Sequence, residues 1–277
     1  MTGTAVVTVV HGRHDHLAHQ VRSLHLATHR PDLHVVVAIE DPAVRCVPEL
    51  RSERVVVLDI ASDPRGLPLA AARNAGVAFA AGAGCDVLIC LDVDCLAGPD
   101  LVSGYADIVH ARPDVVWSGP VTYLKPPGVE GYLLNALGSL DSPHPARPAP
   151  EPGEHVVGAD PDLFWSLSFA LSARAWTRTG GFDEAYVGYG AEDTDFARRV
   201  HRAGLDLGWV GSARAYHQHH RVDSPPVEHL DDILRNAQLF HHRWGTWPML
   251  GWLTSFEDLG LVRQTSAGWD RRIDRPD

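Results

Sequence analysis

The chain has 277 residues, 45% of them hydrophobic and 21% charged, enough apolar sequence for one large α/β core and unlike the composition of a disordered chain. Its 35 acidic residues against 24 basic ones give a net charge of -11, which excludes the broad basic footprint of a nucleic-acid binder. No apolar run approaches the roughly twenty residues of a membrane helix, and the first residues lack a charged leader region, so a cytoplasmic protein without an integral membrane segment is expected.

Residues 5–10 are apolar and β-branched and run into His11-Gly12-Arg13, followed by an amphipathic stretch containing Leu17, Val21, Leu24 and Leu26. That is a strand, a turn and a helix. Residues 33–39 form a second strand ending at Glu40-Asp41-Pro42, and residues 54–58 a third ending near Asp59. Strands alternating with helical stretches imply βαβ units and a mostly parallel sheet. Glu40 or Asp41, at a carboxyl-terminal strand edge, suits a base or ribose hydrogen bond as well as a plain turn before proline.

Arg65-Gly66-Leu67 opens an alanine-rich helix that carries Arg73 and Asn74. Helix propensity explains the alanines but not this polar pair, which either caps neighbouring backbone or touches a ligand. Residues 87–91 then read as a strand buried on both faces that stops at Asp92-Val93-Asp94. Side chains at i and i+2 on an extended segment share a face, so Asp92 and Asp94 are expected to converge at the strand edge. Hard carboxylate oxygens there suit a divalent cation, and such a cation suits a diphosphate. Three of the four cysteines fall between Cys85 and Cys95 without paired metal spacing, which points to reduced core thiols. The series Gly-Leu, Ala-Ala-Arg-Asn-Ala-Gly and Asp-x-Asp resembles the nucleotide-sugar-binding half of glycosyltransferases of the GT-A fold, particularly family 2.

Residues 101–108 read as a helix and 115–117 as a strand. Eight of the twenty prolines lie between Pro126 and Pro161, which makes this segment an extended loop, either a passive connection or a flap over the site. Residues 163–172 alternate bulky and small side chains, as a strand beside a cleft would. The richest run follows: Gly180-Gly181-Phe182-Asp183-Glu184, then Gly188-Tyr189-Gly190-Ala191-Glu192-Asp193, then Phe196, Ala197 and Val200 at helical spacing. Glu192 and Asp193 fall in the first helical turn, where acids also serve as ordinary caps. After a strand at 207–210 comes His217-Gln218-His219-His220. If extended, it turns His217 and His219 to one face, able to complete a metal site begun by Asp94.

The glycine-aromatic loop and its acidic helix are similar to the acceptor-side motif of inverting galactosyltransferases. The resemblance implies a Rossmann-like GT-A domain over 1–224, with a nucleotide-sugar-binding half (1–118) and an acceptor-side half (119–224) that includes the proline-rich loop 126–161. Leu230, Ile233, Leu234, Ala237 and Leu239 at helical spacing and three tryptophans make 225–277 a C-terminal helical extension, frayed over 270–277. By position, Asp193 is the expected base with Glu192 on sugar hydroxyls. Arg13, Glu40, Arg65, Arg73, Asn74, Asp92 and Gly190 face the nucleotide sugar, and Asp94, His217 and His219 hold Mn2+ or Mg2+. The expected donor is a UDP-sugar and the acceptor a small molecule or glycan, in a possible homodimer. A retaining transferase, a nucleotide-sugar-binding protein without turnover and a nucleotidyltransferase are the competing expectations; the last is disfavoured by the absence of a glycine-rich first loop with a lysine.

Overall fold

The first half of the computed structural model, which describes residues 3–221 and 223–272, alternates strands and helices: β1 (Gly3–Val10), α1 (His14–Leu26), β2 (Leu33–Ile39), β3 (Val55–Ile60), α2 (Leu69–Gly82), β4 (Cys85–Leu91), β5 (Cys95–Ala97) and α3 (Leu101–Ala111). Then come β6 (Val115–Ser118), β7 (Val121–Tyr123), β8 (His155–Val157), β9 (Ser168–Ser172), α4 (Ala173–Thr179), α5 (Glu192–Arg202), β10 (Asp206–Val210) and β11 (Ala215–His217). The C-terminal part holds α6 (Leu230–Trp244), α7 (Leu250–Asp258) and a hairpin of β12 (Val262–Thr265) and β13 (Gly268–Arg271).

Eight strands form the central sheet in the order β3-β2-β1-β4-β9-β6-β10-β8, with β8 and β9 antiparallel to their neighbours and the other pairings parallel. The continuous β-branched runs of β1, β2 and β4 follow from burial on both faces. Ala5, Val7, Leu88 and Cys90 pack toward α2 and α5, while Val6, Val87, Ile89 and Leu91 pack toward α3. Each such valine or leucine is fully or almost fully removed from water, a gain of about 1.5–3 kcal/mol per side chain. The expected α/β architecture, a mostly parallel sheet flanked by helices with a C-terminal extension, is the one observed.

Four local readings change. The proline-rich segment contributes β8, which closes the sheet edge by pairing with β10. Only Ser168–Ser172 of the 163–172 stretch is strand, and it lies between β4 and β6. Leu26 is 61% exposed, so it leaves the apolar stripe of α1. The C-terminal extension ends in the β12–β13 hairpin, which orders residues up to 271; residues 273–277 lie outside the described residues.

A second sheet, β5-β11-β7, positions the site. Its register sets His217 opposite Cys95, one residue from Asp94. The extension docks on the glycine-aromatic loop: the Asp232 carboxylate accepts from the Tyr189 amide, and Asn236 donates to the Val187 and Tyr189 carbonyls. Gly188 (φ +76°) has no room for a Cβ against Asp232, and a Cβ on Gly190 (φ +96°) would meet Met249 Sδ at 2.8 Å. The glycines serve this loop's path.

Candidate active site

Strand β4 ends at Leu91, so Asp92 and Asp94 lie on a turn and do not share a strand face. They take different partners. Asp92 Oδ1 accepts from Arg73 Nη2 at 3.1 Å. Asp94 faces His217 Nε2 and His220 Nε2, each at 3.4 Å, and Arg13 Nη1 at 3.3 Å. The expected convergence fails because period-two alternation stops where the strand stops.

The same reason corrects His219. Strand β11 ends at His217; Gln218 is fully buried, His219 is exposed, and His220 swings back toward Asp94. Ligand atoms of Asp94, His217 and His220 lie within 4.8 Å of one another. One carboxylate and two imidazoles converging from three chain positions, with Tyr123 stacked on His217 at 4.6 Å, fit a divalent ion such as Mn2+. Burial works against the Asp94 charge, but hydrogen bonds from His217 and His220 outweigh it and hold its pKa well below the usual carboxylate range.

Gln20 and Gln218, which the sequence reading passed over, hold this turn. Gln20 is fully buried and donates to the Asp92 and Cys95 carbonyls at 2.6 and 3.0 Å, bracketing Asp94. Its Oε1 accepts from Thr8. Gln218 donates its backbone N–H to the Asp94 carbonyl at 2.7 Å and its side chain to the His16 carbonyl. Helix α1 thus serves as the girder for both halves of the ion-binding turn. A glutamine at the buried face of an amphipathic helix was the available signal.

The second acidic motif meets the first through Arg73. This guanidinium is buried and lies 3.1 Å from Asp92, 3.5 Å from Glu192 and 3.9 Å from Asp193. Burial opposes its charge, yet the three carboxylates more than compensate and raise its pKa. Burial, helped by the Asp193 charge, pushes Glu192 up to about 7. Burial likewise lifts Asp92 to about 6, against the pull of Arg73.

Asp193 makes no helix-cap bond among the described residues. Its oxygens accept from Ser166 Oγ at 2.7 Å and Ser166 N at 3.0 Å, and residue 191, at the head of α5, makes no side-chain cap bond. Two bonds from one residue fix the carboxylate plane. Asn74 is a clasp: its amide donates to the Phe182 carbonyl and Glu184 and accepts from the Phe182 amide, so the capping alternative holds for it. Arg65 is exposed and paired with Asp63; Glu40 is exposed, with φ 45°, and bonds Ser62. Neither joins the central cluster. Asp41 is the acid of that pair that reaches inward, accepting from the Gly12 amide at 2.7 Å and contacting His14 at 2.8 Å. Tyr189, beside Gly190, stacks on His229 and Trp252 of the extension and forms part of the rim.

A family model described as the N-terminal domain of galactosyltransferase matches residues 162–221, the stretch from the Ser166 holder through the acidic helix to His220. Validoxylamine A glucosyltransferase of Streptomyces hygroscopicus subsp. limoneus is 26% identical over 238 residues, 73% of this chain and 49% of that protein. Chondroitin synthase of Escherichia coli is 26% identical over 212 residues, 68% of this chain and 30% of that one. The chain therefore spans about half or less of the length of these curated relatives. Among solved structures, GalNAc-T7 with UDP, GalNAc and Mn2+ superposes with a TM-score of 0.55 at 16% identity over 79% of this chain and 43% of that one. Residues 1–349 of S. aureus TarS superpose with a TM-score of 0.58 at 13% identity over 86% and 64%. The chain has the GT-A fold of the glycosyltransferases.

Proposed function

We propose that the chain is a metal-dependent, inverting glycosyltransferase that moves a sugar from a nucleotide diphosphate sugar, a UDP-sugar in our reading, to an acceptor hydroxyl. The observation that carries this is the pairing of two sites through one arginine. A carboxylate and two imidazoles suited to an ion stand on one side, and a carboxylate oriented by Ser166 stands on the other. Mn2+ or Mg2+ at Asp94, His217 and His220 would supply positive charge against the diphosphate. Arg13, on Asp94, adds a second cation on the nucleotide side. Asp193 takes the acceptor proton as the hydroxyl attacks the anomeric carbon opposite the departing nucleotide, and Glu192, titrating near neutrality, bonds a sugar hydroxyl. The similar proteins, among them a glucosyltransferase and a structure holding UDP and Mn2+, favour this class.

A thermal-shift screen of nucleotide sugars with and without Mn2+ tests the reading. A ligand at about a hundred times its dissociation constant adds roughly 2.7 kcal/mol, enough to detect. The shift with UDP-sugars should need the ion and vanish in EDTA. His220→Ala should raise the Mn2+ concentration for half effect, while His219→Ala should leave it alone; full transfer in excess EDTA sinks the proposal. The anomeric configuration of the product, read by NMR, decides between inversion and retention.

A further inference from the structure

Arg147 sits between Pro145 and Pro148 of the proline-rich segment, 6% exposed. Its guanidinium carbon lies 5.0 Å from the ring centre of Trp165 and 4.6 Å from that of Trp209. Nε, Nη1 and Nη2 are all buried, and none has a hydrogen-bond acceptor among the described residues. No described carboxylate is within ion-pair distance of it, in contrast to Arg73. Burial lowers its pKa to about 10, which still leaves it charged at neutral pH.

Burial strips the guanidinium of its hydration, and two ring faces make no hydrogen bonds in return. Rings offer it no strong acceptor, so five N–H donors in a planar fork stay unspent. That fork matches a carboxylate or a phosphate.

Its place in the fold says which substrate would carry the group. Trp165 precedes Ser166, the residue that holds Asp193. Trp165 also meets His144 edge-on, His144 meets Tyr123, and Tyr123 stacks on His217. The fork therefore adjoins the holder of the proposed base, and the nucleotide-side cation Arg13 belongs to a different element. Its cover is lightly tied. Pro143, Pro145, Pro148 and Pro150 have no N–H to give, and residues 143–150 are held to the rest of the chain by few backbone bonds, such as His144 N to the Val121 carbonyl.

We propose that Arg147 binds an oxyanion, a carboxylate or phosphate, carried by the acceptor. This rests on the transferase reading for the word acceptor, and on Arg147 alone for the anion. The test is a thermal shift of the full chain as wild type, Arg147→Met and Arg147→Lys. One arm titrates inorganic phosphate against sodium chloride at matched ionic strength, and a separate arm uses UDP with MnCl2. Phosphate should stabilise the wild type. Its binding should weaken roughly tenfold or more in Arg147→Met and to a lesser degree in Arg147→Lys, which keeps the charge but loses the fork, while the UDP shift stays equal in all three. An undiminished phosphate shift in Arg147→Met, or none in the wild type, overturns the site. If Arg147→Met does not fold, Arg147→Lys decides, and a wild-type phosphate shift there overturns it. Loss of the UDP shift together with the phosphate shift moves the oxyanion to the donor and overturns the acceptor assignment. A wild-type phosphate shift without any Mn2+-UDP shift supports the anion site and counts against the transferase reading instead.

Discussion

Two buried arginines, one in each half of the GT-A domain, are accommodated in opposite ways. Around Arg73 the protein supplies three carboxylates, Asp92, Glu192 and Asp193, and the guanidinium becomes the knot that ties the two acidic motifs. Around Arg147 it supplies two indole rings and, among the described residues, no acceptor. The first arrangement balances its charge within the chain, although Nη1 makes no hydrogen bond among the described residues and faces Glu192 at 3.5 Å. The second has the charge and the donors but no acid among the described residues, the arrangement the oxyanion proposal rests on. Burial alone therefore does not separate a structural charge from a binding charge; the inventory of partners does.

The comparison breaks most sharply at Arg73. Arg73→Met leaves three carboxylates around one uncompensated site, and removing one member of a buried charge cluster costs about 3–5 kcal/mol. Urea unfolding should show that loss, whereas Arg147→Met should unfold at no lower urea concentration, since it removes an unsatisfied charge. Equal losses in the two variants would erase the distinction. Next in size is Asp193→Asn, which keeps the shape and the Ser166 contact but removes the base. Single-turnover transfer at saturating donor and metal should fall by about 10²- to 10⁴-fold with the Mn2+ requirement unchanged. A rate within about threefold of wild type would take Asp193 out of the chemistry.

The contrast also marks how far sequence reading reaches. Strands β1, β2 and β4 and helix α5 are legible because their signals are local: β-branched runs buried on both faces, and an apolar spacing of 3.6. Asp92 and Asp94 are legible because they follow the close of such a run, and Glu192 and Asp193 because they open one. Strand alternation pairs His219 with His217, but β11 ends at His217, and beyond it His220 is the residue that returns to Asp94. Arg147 has no local signal: its two rings come from positions 165 and 209, and only the folded sheet brings them together. Gln20 is illegible for the same reason, its partners lying 72 and 75 residues away.

A third buried cationic type sharpens the comparison by a third route, discharge. His34 is 3% exposed on β2, and its Nε2 lies 3.0 Å from Thr8 Oγ1. Thr8 gives its hydroxyl proton to Gln20 Oε1, so it must accept from a neutral His34 protonated at Nε2. Burial lowers the His34 pKa from 6.5 to about 4. The unfolded chain thus takes up this proton more readily than the folded one, and the contribution to stability is fully present above pH 6.5 and drains away as pH falls toward 4. At pH 5 the loss is about 2 kcal/mol relative to pH 7, from about 1.4 kcal/mol per unit of pKa difference traversed. Folded His34 stays neutral down to about pH 4, so this loss falls on the global unfolding equilibrium, while over the same interval Glu192 and Asp92 beside Arg73, lifted to about 7 and 6, gain protons in the folded state. His34→Gln retains a donor for Thr8 and removes the titration. Urea midpoints of wild type and His34→Gln, followed from pH 7 to pH 5, should converge as the wild type loses its extra share. Parallel lines across that interval would mean that the His34 proton affinity is the same in the folded and unfolded chains.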